Sequence, residues 1–188
     1  MPPKTKITKE MILKASFEII RKQGHENLNA RSIAKYLNCS TQPILYNFET
    51  VDEIRETVYR ITDEYHSRYI MPKQDDRDPF LALGLNYVKF ACEERNLFRF
   101  LFQSDKFSGK DLDTLLNDPQ LEEMIGIMRK ELGVKKAEAK QMFLSFFCVA
   151  HGMASLLGNN AMQYDEKQCI KILESVFATA ASKKESRR

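Results

Sequence analysis

Residues 28–54, LNARSIAKYLNCSTQPILYNFETVDEI, decide the fold of the N-terminal part of the chain. Their pattern predicts two short helices that are separated by a tight turn. Asn29 can cap the first helix with its side chain. The inward residues of that helix are predicted to be Ile33, Ala34 and Leu37. Asn38 tolerates a positive φ, so residues 38–40 predict a three-residue turn rather than a longer loop.

The second short helix has the composition of a helix that reads DNA. Ser40 is its predicted N-cap, and Pro43 falls in the first turn, where a missing N–H costs little. Its outward residues are predicted to be Thr41, Gln42, Pro43, Tyr46 and Asn47. Its predicted anchors are Ile44, Leu45 and Phe48. Two short helices of this kind, behind a longer supporting helix, place the second one in the major groove.

The outward side chains of this helix have the chemistry that base and phosphate contacts require. Gln42 can donate to and accept from a base edge, and Tyr46 can reach a phosphate. Thr41 and Pro43 can contact a thymine methyl group. A three-helix packing motif without DNA binding is the alternative interpretation, because helix-turn-helix geometry also occurs in such proteins.

Helical spacing recurs along the whole chain, which predicts an all-α fold. The first helix is predicted from the N-cap Thr8 to about Gln23, with Gly24 ending it. Its inward stripe is predicted to be Ile12, Ala15, Ser16, Ile19 and Ile20. A capping box formed by Thr50 and Glu53 predicts a fourth helix that ends near residue 70. Further helices are predicted over residues 79–94, 97–103, 119–132, 136–159 and 165–182.

Positive charge is concentrated at the N-terminus. Residues 1–48 carry eight basic and three acidic residues, a net charge of +5, whereas the remaining 140 residues carry 21 basic and 23 acidic residues, a net of −2. A basic front lowers the cost of approaching a phosphate backbone. A solvated helical face is the alternative explanation of the same charge.

The four cysteines and three histidines do not form a metal or catalytic pattern. Cys39, Cys92, Cys148 and Cys169 lack the spacing of a zinc or redox site. They are therefore predicted to be thiols of a reducing cytoplasm, with Cys39 an inert thiol rather than an oxidation sensor. The histidines fall in separate segments, without a phosphate loop or nucleophile elbow. The sequence predicts neither an enzyme nor a cofactor or metal, and the apolar residues 142–157 are too few to span a membrane comfortably.

Residues 28–40, 44–48 and 50–54 resemble, without a gap, the N-terminal domain of the TetR (tetracycline repressor-like) transcription regulators. The resemblance implies a helix-turn-helix DNA-binding domain over residues 1–50 and a helical effector-binding and dimerisation domain over residues 51–188. Asn47 and Val51 depart from the family, which often has His and Lys at these positions, and that Lys usually contacts a phosphate. The DNA-binding residues are then predicted to be Arg31, Ser40, Thr41, Gln42, Pro43, Tyr46, Asn47, Lys4, Lys6 and Lys9.

The C-terminal part of the chain has two strongly apolar helices. The run over residues 143–157 is apolar nearly all round, and the last helix has an apolar stripe. Both are candidates for a twofold four-helix interface, and the resemblance also places dimerisation there. His151-Gly152 resembles a signature of one C-terminal subgroup, although that signature usually has a Trp nearby and this chain has none. Residues predicted to line an apolar or aromatic effector are Phe98, Phe102, Met124, Met128, Phe143, Phe147 and His151, for which ordinary core is the alternative.

These features predict a cytoplasmic transcription regulator of the repressor type. We expect it to bind a palindromic operator in double-stranded DNA as a homodimer, with a small-molecule effector altering the spacing of the two reading heads. The alternative is a helical dimer that acts through protein contacts or ligand storage without specific DNA binding.

Overall fold

The computed structural model describes residues 7–76, 78–104, 119–160 and 162–185, which are helical and contain no strand. The all-α prediction is confirmed. Lys4 and Lys6, predicted to contact DNA, lie outside the described residues. A short 3₁₀ turn covers His25–Asn27. The helices are α1 Lys9–Gln23, α2 Ala30–Tyr36, α3 Gln42–Asn47, α4 Val51–Ile70, α5 Pro79–Glu93, α6 Arg95–Phe102, α7 Pro119–Leu132, α8 Lys136–Asn159 and α9 Glu166–Glu185.

The chain forms two compact units. Unit 1 comprises Met1–Arg68 and Glu94–Lys106, and unit 2 comprises Tyr69–Glu93 and Phe107–Arg188. Most of α4 and all of α6 therefore belong to the same compact unit as α1–α3. The predicted division into a DNA-binding domain over residues 1–50 and an effector-binding and dimerisation domain over residues 51–188 stays a prediction.

Helix α1 provides the core of unit 1. The Thr8 hydroxyl accepts a hydrogen bond from the Met11 N–H at 3.2 Å, and Gly24 ends the helix at φ +91°. A side chain at Gly24 would be strained at this φ. The predicted inward stripe is confirmed, since Ile12, Ala15, Ser16, Ile19 and Ile20 are all buried.

Helix α2 and the turn after it follow the local rules that the sequence predicted. Asn29 Oδ1 accepts from the Ser32 N–H at 2.9 Å, and Ser32 Oγ accepts from the Asn29 N–H at 3.0 Å. Both free donors at the start of the helix are thereby satisfied. Asn38 has φ +51°, as predicted for the turn that leads into α3.

Helices α4 and α6 complete unit 1 around one nearly buried carboxylate. Glu94, whose side chain is 8% exposed, accepts from the Arg21 Nε–H at 2.8 Å and also bonds the Arg21 Nη2. The Tyr65 hydroxyl donates to the same carboxylate at 3.0 Å. The Asn96 amide donates to the Arg21 carbonyl at 3.0 Å. These bonds tie the start of α6 to α1 and α4.

Helix α8 is the central helix of unit 2 and packs against α5, α7 and α9. Two glycines allow a close approach to α5. An added Cβ would lie 2.5 Å from Phe146 at Gly84 and 2.7 Å from the Ala91 carbonyl oxygen at Gly158. By length and composition α8 could cross a membrane, although in unit 2 it packs against three neighbouring helices.

Candidate nucleic-acid interface

Helix α3 begins later than the sequence predicted. The Thr41 carbonyl accepts from the N–H groups of Ile44 and Leu45, both at 3.1 Å. Thr41 therefore occupies the N-cap position, without a side-chain capping bond, and the helix begins at Gln42. The prediction of Ser40 as N-cap was wrong. Pro43 lies in the first turn as predicted, where its missing N–H has no partner to lose.

One face of α3 is anchored and the opposite face is open to solvent. Ile44 and Phe48 are 1% and 4% exposed and lie four residues apart, so they form the inward face. The prediction that Leu45 is a third anchor was wrong, because it is 56% exposed. In a helix Leu45 is rotated by about 100° from Ile44, which carries its side chain off the inward face.

The other predicted outward residues differ in exposure. Gln42 is exposed, and Tyr46 is 88% exposed. Thr41 and Pro43 are half-buried. Asn47 is also half-buried, and its amide donates to the Pro43 carbonyl at 2.7 Å and to the Ile7 carbonyl at 3.4 Å. These bonds hold the amide against the segment that precedes α1, and the predicted DNA contact of Asn47 stays a prediction.

Helix α2, which packs against α3, carries two exposed cations. Arg31 and Lys35 are exposed, and no ion pair with a described residue neutralises either of them. Lys9 Nζ lies 5.0 Å from the centre of the Phe48 ring, which places this charge beside the inner end of α3. A cation over an aromatic face is favourable and keeps the ammonium at a defined position.

The start of α4 carries acidic rather than basic charge. Val51 is half-buried and is followed by the exposed Asp52 and Glu53. The Thr50 hydroxyl accepts from the Glu53 N–H at 3.1 Å, as the predicted capping box requires. The Glu53 carboxylate accepts from the Glu49 N–H at 2.9 Å rather than from Thr50. Both acidic residues lie at the positive end of the helix dipole, where they stabilise α4.

The predicted effector residues are divided between the two units. Phe98 and Phe102 lie in unit 1, with ring centres 5.2 Å apart, and Phe102 lies 5.0 Å from the His66 ring. Met128 and Phe143 are buried in the apolar cluster that α7 and α8 form in unit 2. Met124 and Phe147 pack against the same cluster and are partly buried. Effector binding by either group stays a prediction.

His151 forms a polar pair that the sequence reading missed. Its Nδ1 lies 2.9 Å from the Tyr87 hydroxyl, and the Phe147 ring is 5.7 Å from the imidazole. Burial lowers the pKa of His151 and raises the pKa of Tyr87. The neutral form of His151 is therefore favoured, and its Nδ1 shares a hydrogen bond with the Tyr87 hydroxyl. A tyrosine on the apolar helix α5 is the signal that could have shown this pair, because buried tyrosine hydroxyls usually find a partner.

No protein-family model and no curated protein match the chain, whereas solved structures do. A tetR-family transcriptional regulator from Streptomyces coelicolor has 15% identity and a TM-score of 0.69, over 94% of this chain and 83% of its own. A TetR-like transcriptional regulator from Rhodococcus sp. RHA1 has 12% identity and a TM-score of 0.62, over 89% and 91%. The multidrug binding protein EbrR, complexed with imidazole, has 16% identity and a TM-score of 0.55, over 89% and 88%. The chain therefore has the fold of the TetR-like transcriptional regulators.

Proposed function

We propose that the chain is a transcription regulator that binds an operator in duplex DNA by inserting α3 into the major groove. The observation that carries the proposal is the exposed face of α3 above two buried anchors. A six-residue helix gains little stability from its own backbone, so Ile44 and Phe48 fix its position while the opposite face remains available to DNA. This is the arrangement of a helix-turn-helix reading head.

Base contacts fall to the residues at the start and on the outer face of α3. Gln42 is exposed and can form paired hydrogen bonds with adenine N6 and N7. Thr41 and Pro43, each half-buried, can contact a base from the first turn. Tyr46 extends its hydroxyl into solvent, from where it can donate to a phosphate.

Phosphate contacts fall mainly to α1 and α2. Arg31 and Lys9 are exposed near α3, and we assign Lys4, Lys6 and the exposed Ser40 to the same role. We assign Asn47 to DNA as well, although its two backbone hydrogen bonds make it a positioning residue before a contact residue. Helix α4 contributes less, because Val51 is uncharged and two acidic residues follow it.

We propose that the regulator is a homodimer formed through α8 and α9. Ser145, Cys148, Gly152 and Leu156 recur every three or four residues on α8 and are all exposed. This stripe lies opposite the buried side of α8, which packs within unit 2. Leu156 is 53% exposed and Ile172 of α9 is 38% exposed. Small residues beside apolar ones suit close packing of a second copy, and a twofold dimer presents two heads to a palindromic operator.

We propose that a small apolar or aromatic effector binds in unit 2 and changes operator affinity. Phe147 packs against the apolar cluster that includes Met128 and Phe143, and its ring also lies beside the polar pair of Tyr87 and His151. Ligand sites typically combine apolar walls with a few polar groups in this way. The similar EbrR is described as a multidrug binding protein complexed with imidazole, which supports ligand binding in this fold. A repressor of this kind acts in the cytoplasm and needs no catalytic group.

The DNA-binding proposal is tested by selecting duplexes from a random pool with the full-length chain at near-physiological salt. We expect enrichment of a palindromic site, with half-sites about one helical turn apart or a multiple of it. Gln42→Ala should relax the preference at one position in each half-site, whereas Tyr46→Phe should weaken all sequences alike. Binding without any enriched sequence would refute a regulator and support a helical dimer that acts through protein contacts.

The dimer proposal is tested by sedimentation of Leu156→Glu beside a matched control, Met71→Glu. Both side chains are 53% exposed, so the two substitutions add the same charge at equal exposure. Leu156→Glu should shift the chain toward the monomer, since it places two carboxylates near the twofold axis, and the control should not. A dimer that tolerates Leu156→Glu unchanged would exclude the α8 stripe as the interface.

A further inference from the structure

We infer that Leu45 is a base-reading residue that packs against the C5 methyl group of a thymine in the operator. The inference rests on the proposed DNA binding and adds a specificity-determining residue to it. It begins from an apolar side chain in an unusual place. Leu45 is 56% exposed on a helix whose other aliphatic residue, Ile44, is 1% exposed.

Leu45 belongs to one continuous exposed face of α3. Gln42, Leu45 and Tyr46 stand at positions i, i+3 and i+4, which lie on the same side of a helix. Gln42 and Tyr46 are exposed as well. If Gln42 and Tyr46 face the DNA, as the proposed function requires, Leu45 faces it too and lies between them along the helix axis.

The charge around this face favours a polyanion as its occupant. Between Glu26 and Glu49 the chain has no acidic residue, whereas Arg31 and Lys35 lie in that interval. Both cations are exposed. An exposed apolar side chain in a segment whose charged residues are all positive suits the major groove, where apolar methyl groups lie between two rows of phosphates.

The chemistry of the groove identifies the base. Thymine is the standard DNA base that presents a methyl group in the major groove, and leucine has no donor or acceptor with which to read any other edge. Gln42 and Leu45 are separated by about 4.5 Å along the helix axis, so the two side chains can reach different bases of one half-site. The inference therefore gives each half-site one A·T pair read by Gln42 and another read by Leu45.

The test removes the methyl group rather than the base pair. Once an operator has been selected, each thymine of a half-site is replaced in turn by deoxyuridine, which pairs identically but lacks the methyl. Affinity is measured for the unmodified protein and for Leu45→Ala at one salt concentration. We expect one position at which the loss of the methyl weakens binding by about fourfold, the effect of removing one buried methyl. The same replacement should have no effect on Leu45→Ala.

A matched control separates this contact from a general loss of affinity. Tyr36→Ala also removes an exposed apolar side chain, 47% exposed on α2, and should keep the full sensitivity to the methyl. Thr41 and Pro43 are the other candidates for a thymine contact. An equal methyl effect in Leu45→Ala and in the unmodified protein would overturn the inference in their favour, while DNA binding itself would stand. Failure to select any operator would instead refute the proposed function.

Discussion

Gly158→Ala should destabilise the protein, although the same substitution usually strengthens a helix. A Cβ at Gly158 would lie 2.7 Å from the Ala91 carbonyl oxygen and 3.3 Å from the Ala91 Cβ. Ordinary contact needs more than 3.4 Å, so α5 and α8 must separate by roughly 0.7 Å, an overpacking that costs about 1–3 kcal/mol. The gain from replacing glycine in a helix is at most about 1 kcal/mol, and it is smaller here because Gly158 is one residue from the end of α8. We expect a net loss of about 1–2 kcal/mol.

Gly152 provides the matched control on the same helix. A Cβ at Gly152 meets no atom within 4 Å, so Gly152→Ala should stabilise the unit by about 0.5–1 kcal/mol. Urea unfolding followed by circular dichroism measures both variants, and concentration series are needed because Gly152 lies on the proposed dimer stripe. A Gly158→Ala variant as stable as the unmodified protein would refute the close α5–α8 approach. A Gly152→Ala variant that is destabilised only at high protein concentration, where the unmodified chain is dimeric, would show that the added methyl group disturbs the dimer.

Three further predictions concern charge. Glu94→Gln should lower the free energy of unfolding by about 2 kcal/mol, because it weakens the charged hydrogen bonds to Arg21. In the same urea titrations, Glu93→Gln at the exposed neighbouring position should change the free energy of unfolding by less than about 0.5 kcal/mol. Equal effects of the two substitutions would contradict the role of Glu94. Burial lowers the pKa of His66 from 6.5 to about 4. As the pH falls below 6.5, His66 is therefore protonated in the unfolded chain while it stays neutral in the folded one. This difference removes roughly 3 kcal/mol of the free energy of unfolding between pH 6.5 and pH 4. His66→Gln should flatten the unfolding profile in that interval, and an unchanged profile would exclude His66 as the cause. Val51→Lys should steepen the salt dependence of DNA binding by about two in slope for a dimer, and an unchanged slope would show that this position lies away from the phosphates.

The sequence predicted best those structural features that depend on contacts between residues close together in the chain. Gly24 ends α1, Asn29 caps α2 and Asn38 forms the turn before α3. Each role depends on atoms at most a few residues away, and the sequence predicted all three. Helix α3 was harder, because six residues make fewer than two turns and their periodicity does not define a face, so Leu45 was placed inside. The partner of Glu94 lies 73 residues away in Arg21, a distance at which no pattern in a single sequence links the two.

If the chain binds an operator as proposed, the acidic start of α4 changes where the operator affinity comes from. A head that lacks the phosphate contact of a Lys at position 51 and carries Asp52 and Glu53 beside it gains less from counterion release. A larger share of the binding free energy must then come from base contacts by α3 and from simultaneous binding of both half-sites by the two subunits of the dimer. The lost term is one that all sequences share, so its loss lowers the affinity for operator and for other DNA alike and leaves their ratio to the base contacts. If the proposed dimer binds its operator with both heads, an effector that misaligns one head leaves the other with only its own, smaller binding free energy.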